Sequence, residues 1–297
     1  MSNRRSKVKK LALITGINYR GSKYELGGCI NDASMILNTL VKKFDFNQSN
    51  IQLLIEEVAT KKNILKGLEW LVNQLEPGDI GLFTYSGHGT QTADLPPIDE
   101  EDMLDEAIVP IDALADQSNL IRDDEINTIL SNIPKGVKFV VILDSCHSGT
   151  GTRNFGNYYS IPQARTIEDV KAIINSFNNV ERRDLSSIKP RYIPPTQTIQ
   201  DIKMIMSGFE PIRKDFSSFS GPNHILLAGC KADQVSYDEG TYGRFTKALT
   251  DVMGSQSAIT YKELYFLVRN MVLERSNYAQ EPQLEGPDDL INLQIFE

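Results

Sequence analysis

A mostly parallel α/β sheet with helices on both faces is the fold this sequence predicts, and three observations predict it. Short, nearly continuous apolar runs recur at residues 10–17, 51–56, 80–85, 137–143, 224–230 and 291–296, as strands do when both sheet faces are covered. Between these runs the apolar residues shift to a three-to-four spacing, the mark of amphipathic helices. Strand and helix therefore alternate, and right-handed crossovers would set helices on either side of the sheet.

The elements follow in order. Residues 10–17 (KLALITGI) form the first strand, after a basic tail over 1–9. Residues 30–43 place Ala33, Ile36, Leu37 and Leu40 on one face and predict a helix. The second strand, 51–56 (IQLLIE), leads to a helix over 61–75 carrying Ile64, Leu68, Leu71 and Leu75, which Pro77-Gly78 ends. Strands at 80–85 (IGLFTY) and 137–143 (VKFVVIL) flank a helix at 123–131. A strand at 224–230 (HILLAGC), helices at 243–252 and 260–275, and a strand at 291–296 (INLQIF) complete the pattern. Residues 151–222 break the rhythm, with no long apolar run and only a weak helix at 167–179. A segment of that length without a core strand reads as a functional insertion or loop. The expected organisation is one domain over 1–297, with the tail and this insertion as its irregular parts.

Composition narrows the function. With 31 Lys+Arg against 39 Asp+Glu the net charge is −8, which argues against nucleic acid or an anionic membrane as a partner. No apolar run reaches the roughly 18–20 residues of a membrane span. The basic start before an apolar run is like a signal peptide, but Asn18, Tyr19 and Arg20 stand where small cleavage-site residues belong. Three cysteines, Cys29, Cys146 and Cys230, make no disulfide framework, so a cytoplasmic location is expected. A monomer without an added prodomain, repeat or zinc finger is expected.

Reactive side chains follow two of the strands. One run ends in Ser86-Gly87-His88-Gly89 and another in Asp144-Ser145-Cys146-His147-Ser148-Gly149. Ligands of open parallel sheets bind beyond the carboxyl ends of the strands, and a thiol needs a base to become a nucleophile near neutral pH. Alone, Cys146 would read as a small buried hydrophobe and His88 as a turn residue. Their joint placement at two strand ends reverses that reading. His147 points to the opposite face from Cys146 and reads as structural, as do His224, Cys230 and Trp70.

These two motifs resemble the paired signatures of metacaspases, the caspase-like cysteine peptidases. Residues 26–33 (LGGCINDA), 224–231 (HILLAGCK) and 280–286 (QEPQLEG) are similar to further parts of that family, so the likeness covers most of the chain outside 151–222. The resemblance implies a caspase-hemoglobinase-like fold, with Cys146 as nucleophile and His88 as general base and then acid. It further implies that the N–H groups of Gly89 and Cys146 form the oxyanion hole, and that Cys29, Asp32, Ser86 and Asp144 line the S1 pocket. Two carboxylates there would select Arg or Lys at P1 and reject Asp. It also implies calcium as an activator, through Asp105, Asp123 and Asp124. Arg153 stands where such enzymes carry a fourth acidic residue, so weak or absent calcium dependence is expected. No cofactor is required for the chemistry.

The expected function is thus a cysteine endopeptidase cutting protein or peptide substrates after a basic residue. The alternatives are a catalytically silent scaffold of the same fold and a legumain-like peptidase. Two pocket carboxylates do not suit the neutral asparagine of the latter, and a scaffold has no use for nucleophile, base and acidic pocket together. The insertion offers Arg165, Lys171, Arg182, Arg183, Lys189 and Arg191 close to the nucleophile, which predicts self-cleavage between about residues 180 and 192. Accessibility favours Arg182, Arg183 and Lys189.

Overall fold

The computed structural model describes residues 8–94, 104–146, 188–195, 219–231, 234–277 and 279–297. His147, Arg153, the weak helix at 167–179 and the pair Arg182-Arg183 lie outside the described residues. The centre is a six-stranded sheet. Its strands are β1 (Lys10–Gly16), β2 (Ile51–Ile55), β3 (Ile80–Ser86), β7 (Lys138–Asp144), β9 (Ile225–Ala228) and β11 (Gln283–Glu285), in the order β11-β9-β7-β3-β1-β2. All pairings are parallel except β11 against β9. This is the mixed α/β, mainly parallel architecture that the apolar runs predict.

Both sheet faces are buried, which is why the strands are continuously apolar. On one face Ala12, Ile14, Leu82 and Val140 pack with Ala33, Ile36 and Leu40 of α1 (Cys29–Lys43), Ala248 and Leu249 of α4 (Arg244–Ser255) and Val268 of α5 (Tyr261–Ser276). On the other, Leu11, Leu13, Phe83 and Val141 meet Leu68 and Leu71 of α2 (Lys61–Gln74) and Ile126 and Leu130 of α3 (Asp123–Leu130). The helices start where their sequences provide caps. The Thr60 side chain accepts from Asn63 N, and Thr260 and Glu263 form a reciprocal capping box, each cap worth about 1 kcal/mol. Among the described residues no helix is long and apolar enough to cross a membrane.

Two departures have physical causes. The strand expected at 291–296 is absent: after Pro287 a helical turn spans Asp288–Ile291, and Phe296 takes a φ of 56°. Ile295 and Phe296 are buried nonetheless, Phe296 edge-on to Phe44, Phe46 and Tyr261, so the run is apolar because it plugs the core. The antiparallel sheet of β4 (Gly89–Ala93), β5 (Leu104–Ile108) and β6 (Ile121–Arg122) had no apolar run to announce it, since β4 reads GTQTA.

Candidate active site

The carboxyl ends of β3 and β7 lie side by side, with Ser86 in register with Gly16 on one side and Asp144 on the other. The turns that follow bring His88 and Cys146 to the same edge of the sheet, both buried. Two tyrosine hydroxyls hold the His88 backbone. Its N–H donates to the Tyr19 hydroxyl at 3.0 Å, and its carbonyl accepts from the Tyr85 hydroxyl at 2.7 Å. The imidazole Nε2 lies 2.7 Å from the Tyr24 carbonyl, a contact that assigns the proton to Nε2 and leaves Nδ1 as the basic nitrogen. Burial lowers the His88 pKa to about 4, with the Tyr24 carbonyl opposing, so the ring is neutral at physiological pH. Cys146 Sγ accepts from Ser236 N at 2.6 Å.

A segment of the chain's own insertion threads this cleft. Strand β8 (Lys189–Pro190) pairs antiparallel with β10 (Tyr237–Asp238), and Arg191 N donates to Ser236 O at 3.0 Å. The Arg191 carbonyl oxygen accepts from Gly89 N at 3.0 Å and Cys146 N at 3.1 Å, and Ile193 N donates to Gly89 O at 3.0 Å. An extended peptide laid against a strand on each side is the posture of β-augmentation.

The Arg191 side chain is fully buried among three carboxylates. Nη2 is 2.6 Å from Asp32 and 3.1 Å from Asp238, and Nη1 is 3.0 Å from Asp144. Burial opposes the charge, but Asp144, Asp32 and Asp238 together hold the guanidinium well above its ordinary pKa. The carboxylates have their own supports. Asp144 accepts from Ser236 Oγ, Thr246 N and Thr246 Oγ1, and Asp32 accepts from Gly243 N. Burial, with Asp144 adding repulsion and Arg191 opposing, raises Asp32 to about 7. Gly243 closes the pocket, and a Cβ there would lie 2.3 Å from Asp144 Oδ2 and 2.5 Å from Arg191 Nη1. Only glycine leaves room for the guanidinium.

The residues expected around the pocket fall into different places. Asp32 and Asp144 touch the guanidinium. Cys29 sits behind them with Sγ 3.8 Å from Asp238, and burial pushes its thiol up, so it stays protonated. Ser86 is buried at the end of β3. Sequence reading missed Asp238, which lies in Val235-Ser236-Tyr237-Asp238-Glu239 with no motif around it. It also favoured the exposed Lys189 over Arg191. Lys189 instead lies outside the pocket, its Nζ 2.6 Å from Glu25 O.

A second acidic cluster lies on the small sheet. One carboxylate oxygen each from Asp94, Asp105 and Asp124 falls within 4.8 Å of the others, while Asp123 is buried beside them. Burial, then Asp123, Asp94 and Asp124, raise Asp105 to about 9, although Arg122 Nε is 3.1 Å from its carboxylate. Oxygen ligands crowded in this way suit a hard divalent cation such as calcium. Asp94 was not among the residues expected there.

Comparison with known proteins agrees with this architecture. The family model described as metacaspase, peptidase C14 domain, matches residues 9–153. Metacaspase-1 of Scheffersomyces stipitis is 31% identical, the alignment covering 97% of this chain and 73% of that protein. Metacaspase-1 of Mycosarcoma maydis is 33% identical over 94% and 70%, and Metacaspase-1 of Saccharomyces cerevisiae 30% over 97% and 69%. A crystal structure of a Geobacter sulfurreducens protein shares the fold with a TM-score of 0.62 at 22% identity, covering 97% of this chain and 98% of that one.

Proposed function

Because the chain belongs to the metacaspase family and is therefore a cysteine peptidase, we propose that it cuts after arginine or lysine with a Cys146–His88 dyad, and that its first substrate is its own Arg191–Tyr192 bond. The observation that carries this reading is the posture of Arg191. Its side chain fills an acidic pocket while its carbonyl oxygen accepts from both Gly89 N and Cys146 N.

In the reaction His88 Nδ1 takes the Cys146 proton, and the sulfur attacks the Arg191 carbonyl carbon. The two N–H groups hold the oxyanion, a donor pair worth about 10²–10³ in rate per donor. His88 then gives its proton to the Tyr192 nitrogen as the C–N bond breaks, leaving an Arg191 thioester on Cys146. Water, deprotonated by His88, releases the Arg191 carboxylate and restores the thiol. An aspartate at P1 would meet three carboxylates, so caspase-type specificity is not expected. Calcium is proposed as a regulator at Asp94, Asp105 and Asp124 with Asp123 beside them. It would remove repulsion between these carboxylates without touching the dyad.

Fluorogenic peptides with Arg, Lys, Asp or Asn at P1 test the reading, with wild type and Cys146→Ala assayed with and without calcium. Turnover of Arg and Lys peptides by wild type alone is expected. Preference for Asp, or equal turnover by Cys146→Ala, would overturn it.

A further inference from the structure

On the far side of the Arg191 carbonyl the self-segment continues as Tyr192-Ile193, and neither side chain is left in solvent. Tyr192 and Ile193 are each 8% exposed. Tyr192 packs with Cys146 and Cys230, with Val235 against the group. Ile193 belongs to the main hydrophobic core and forms one wall of a cavity of about 360 Å³, whose other walls are apolar at Val109, Leu114 and Leu120 and polar or charged at Lys23, Thr90 and Gln117. The backbone here is also fixed, since Ile193 N donates to Gly89 O and Tyr192 bridges to Gly89. Two consecutive side chains after the scissile position are thus each buried against apolar partners, and the cavity beside Ile193 extends to the exposed Pro194 and to Pro195.

We infer that this enzyme reads its substrates on the leaving-group side as well as at P1, taking an aromatic residue at P1′ against Cys230 and Val235 and a branched aliphatic residue at P2′ in the core cluster that includes Val109 and Leu120. The preferred substrate class is a basic residue followed by an aromatic–aliphatic pair. This rests on the reading of Arg191 as a P1 residue. A charged P1′ side chain would have to be buried beside Cys146, Cys230 and Val235, none of which is a counter-ion, and that is costly. An apolar pocket discriminates by about 10- to 200-fold for small changes in what fills it.

Two internally quenched peptides, Lys-Pro-Arg-Tyr-Ile-Pro-Pro and the same sequence with Gly-Gly after Arg, decide it on the self-processed chain. A third carries Asp-Asp at those places. The Tyr-Ile peptide should be cut with kcat/KM at least about tenfold above Gly-Gly and further above Asp-Asp. Equal cutting of all three within about threefold would overturn the inference while leaving the Arg-directed peptidase intact. Cutting of none, with no self-cleavage either, would overturn both. A second arm follows self-cleavage by intact mass: Tyr192→Asp with Ile193→Asp should cut at least about tenfold more slowly than Tyr192→Phe with Ile193→Val. If the Asp pair cuts as fast, the sites do not select.

Discussion

Replacing Arg191 separates a substrate side chain from a structural one. The guanidinium spans three carboxylates at 2.6, 3.0 and 3.1 Å, and Nη1 also donates to the Asp144 carbonyl at 3.2 Å, all within a buried pocket. Arg191→Gln removes the only positive charge that the described residues place among these carboxylates. Breaking a buried pair in this way costs about 3–5 kcal/mol, equivalent to about 10²- to 5×10³-fold in the rate of self-cleavage. Arg191→Lys keeps the charge but offers one nitrogen where the guanidinium uses two. Loss of one charge-assisted hydrogen bond, about 1.5–3 kcal/mol, predicts a slowing of about 10- to 100-fold. The assay keeps Cys146 as a reversible mixed disulfide during purification, releases it with reductant, and follows fragments by intact mass. Thermal stability is read alongside. If Arg191 is a docked substrate, the variants let segment 188–195 leave and the pocket fill with water, so Tm falls little. Arg191→Gln cutting at the same bond within about threefold of wild type would refute the charge argument. Loss of global folding in both variants would mean that Arg191 is a core residue.

The remaining predictions concern ionisation and the metal. Asp32 is raised to about 7 with an arginine in its pocket, and a P1 arginine needs it ionised, so kcat for Arg peptides, which reports the enzyme–substrate complex, should fall as pH drops through about 7. His88, lowered to about 4, stays neutral over that range and does not cause the fall. A pH profile of Asp32→Asn should lose this limb along with much of its activity, whereas a limb unchanged in that variant would contradict the assignment. Asp105, raised to about 9, holds a proton at neutral pH that a cation must displace. Calcium affinity, measured by titration calorimetry, should therefore rise with pH up to about 9 with proton release, and Asp105→Asn with Asp124→Asn should abolish binding. Binding that survives in that double variant would place the cation elsewhere. His88→Ala should stop self-cleavage with the fold retained, checked by intact mass and circular dichroism.

The sheet was legible because burial on both faces writes itself as apolar runs, and β1, β2, β3, β7 and β9 each begin and end within three residues of them. The run at 291–296 misled because Ile295 and Phe296 are buried as a plug, and apolarity reports burial without naming the backbone that delivers it. Strand β4 was invisible for the opposite reason, its Thr and Gln residues being covered without being apolar. At the site, His88 and Cys146 stood out because the strand-end turns place them within short polar motifs. Asp238 did not, because its role depends on a fold contact 47 residues from Arg191. Accessibility singled out Lys189, which is exposed and lies outside the pocket, whereas the basic side chain that the described residues place in the pocket is the buried Arg191.

The central claim is that Cys146 cuts the chain between Arg191 and Tyr192. Intact-mass analysis of wild type and Cys146→Ala, incubated side by side after thiol release, tests it most directly. The account predicts fragments 1–191 and 192–297 from wild type, with a new amino terminus at Tyr192, and an uncut chain from Cys146→Ala. The same fragments from Cys146→Ala would contradict it, as would a wild type that hydrolyses Arg peptides yet never cuts at this bond.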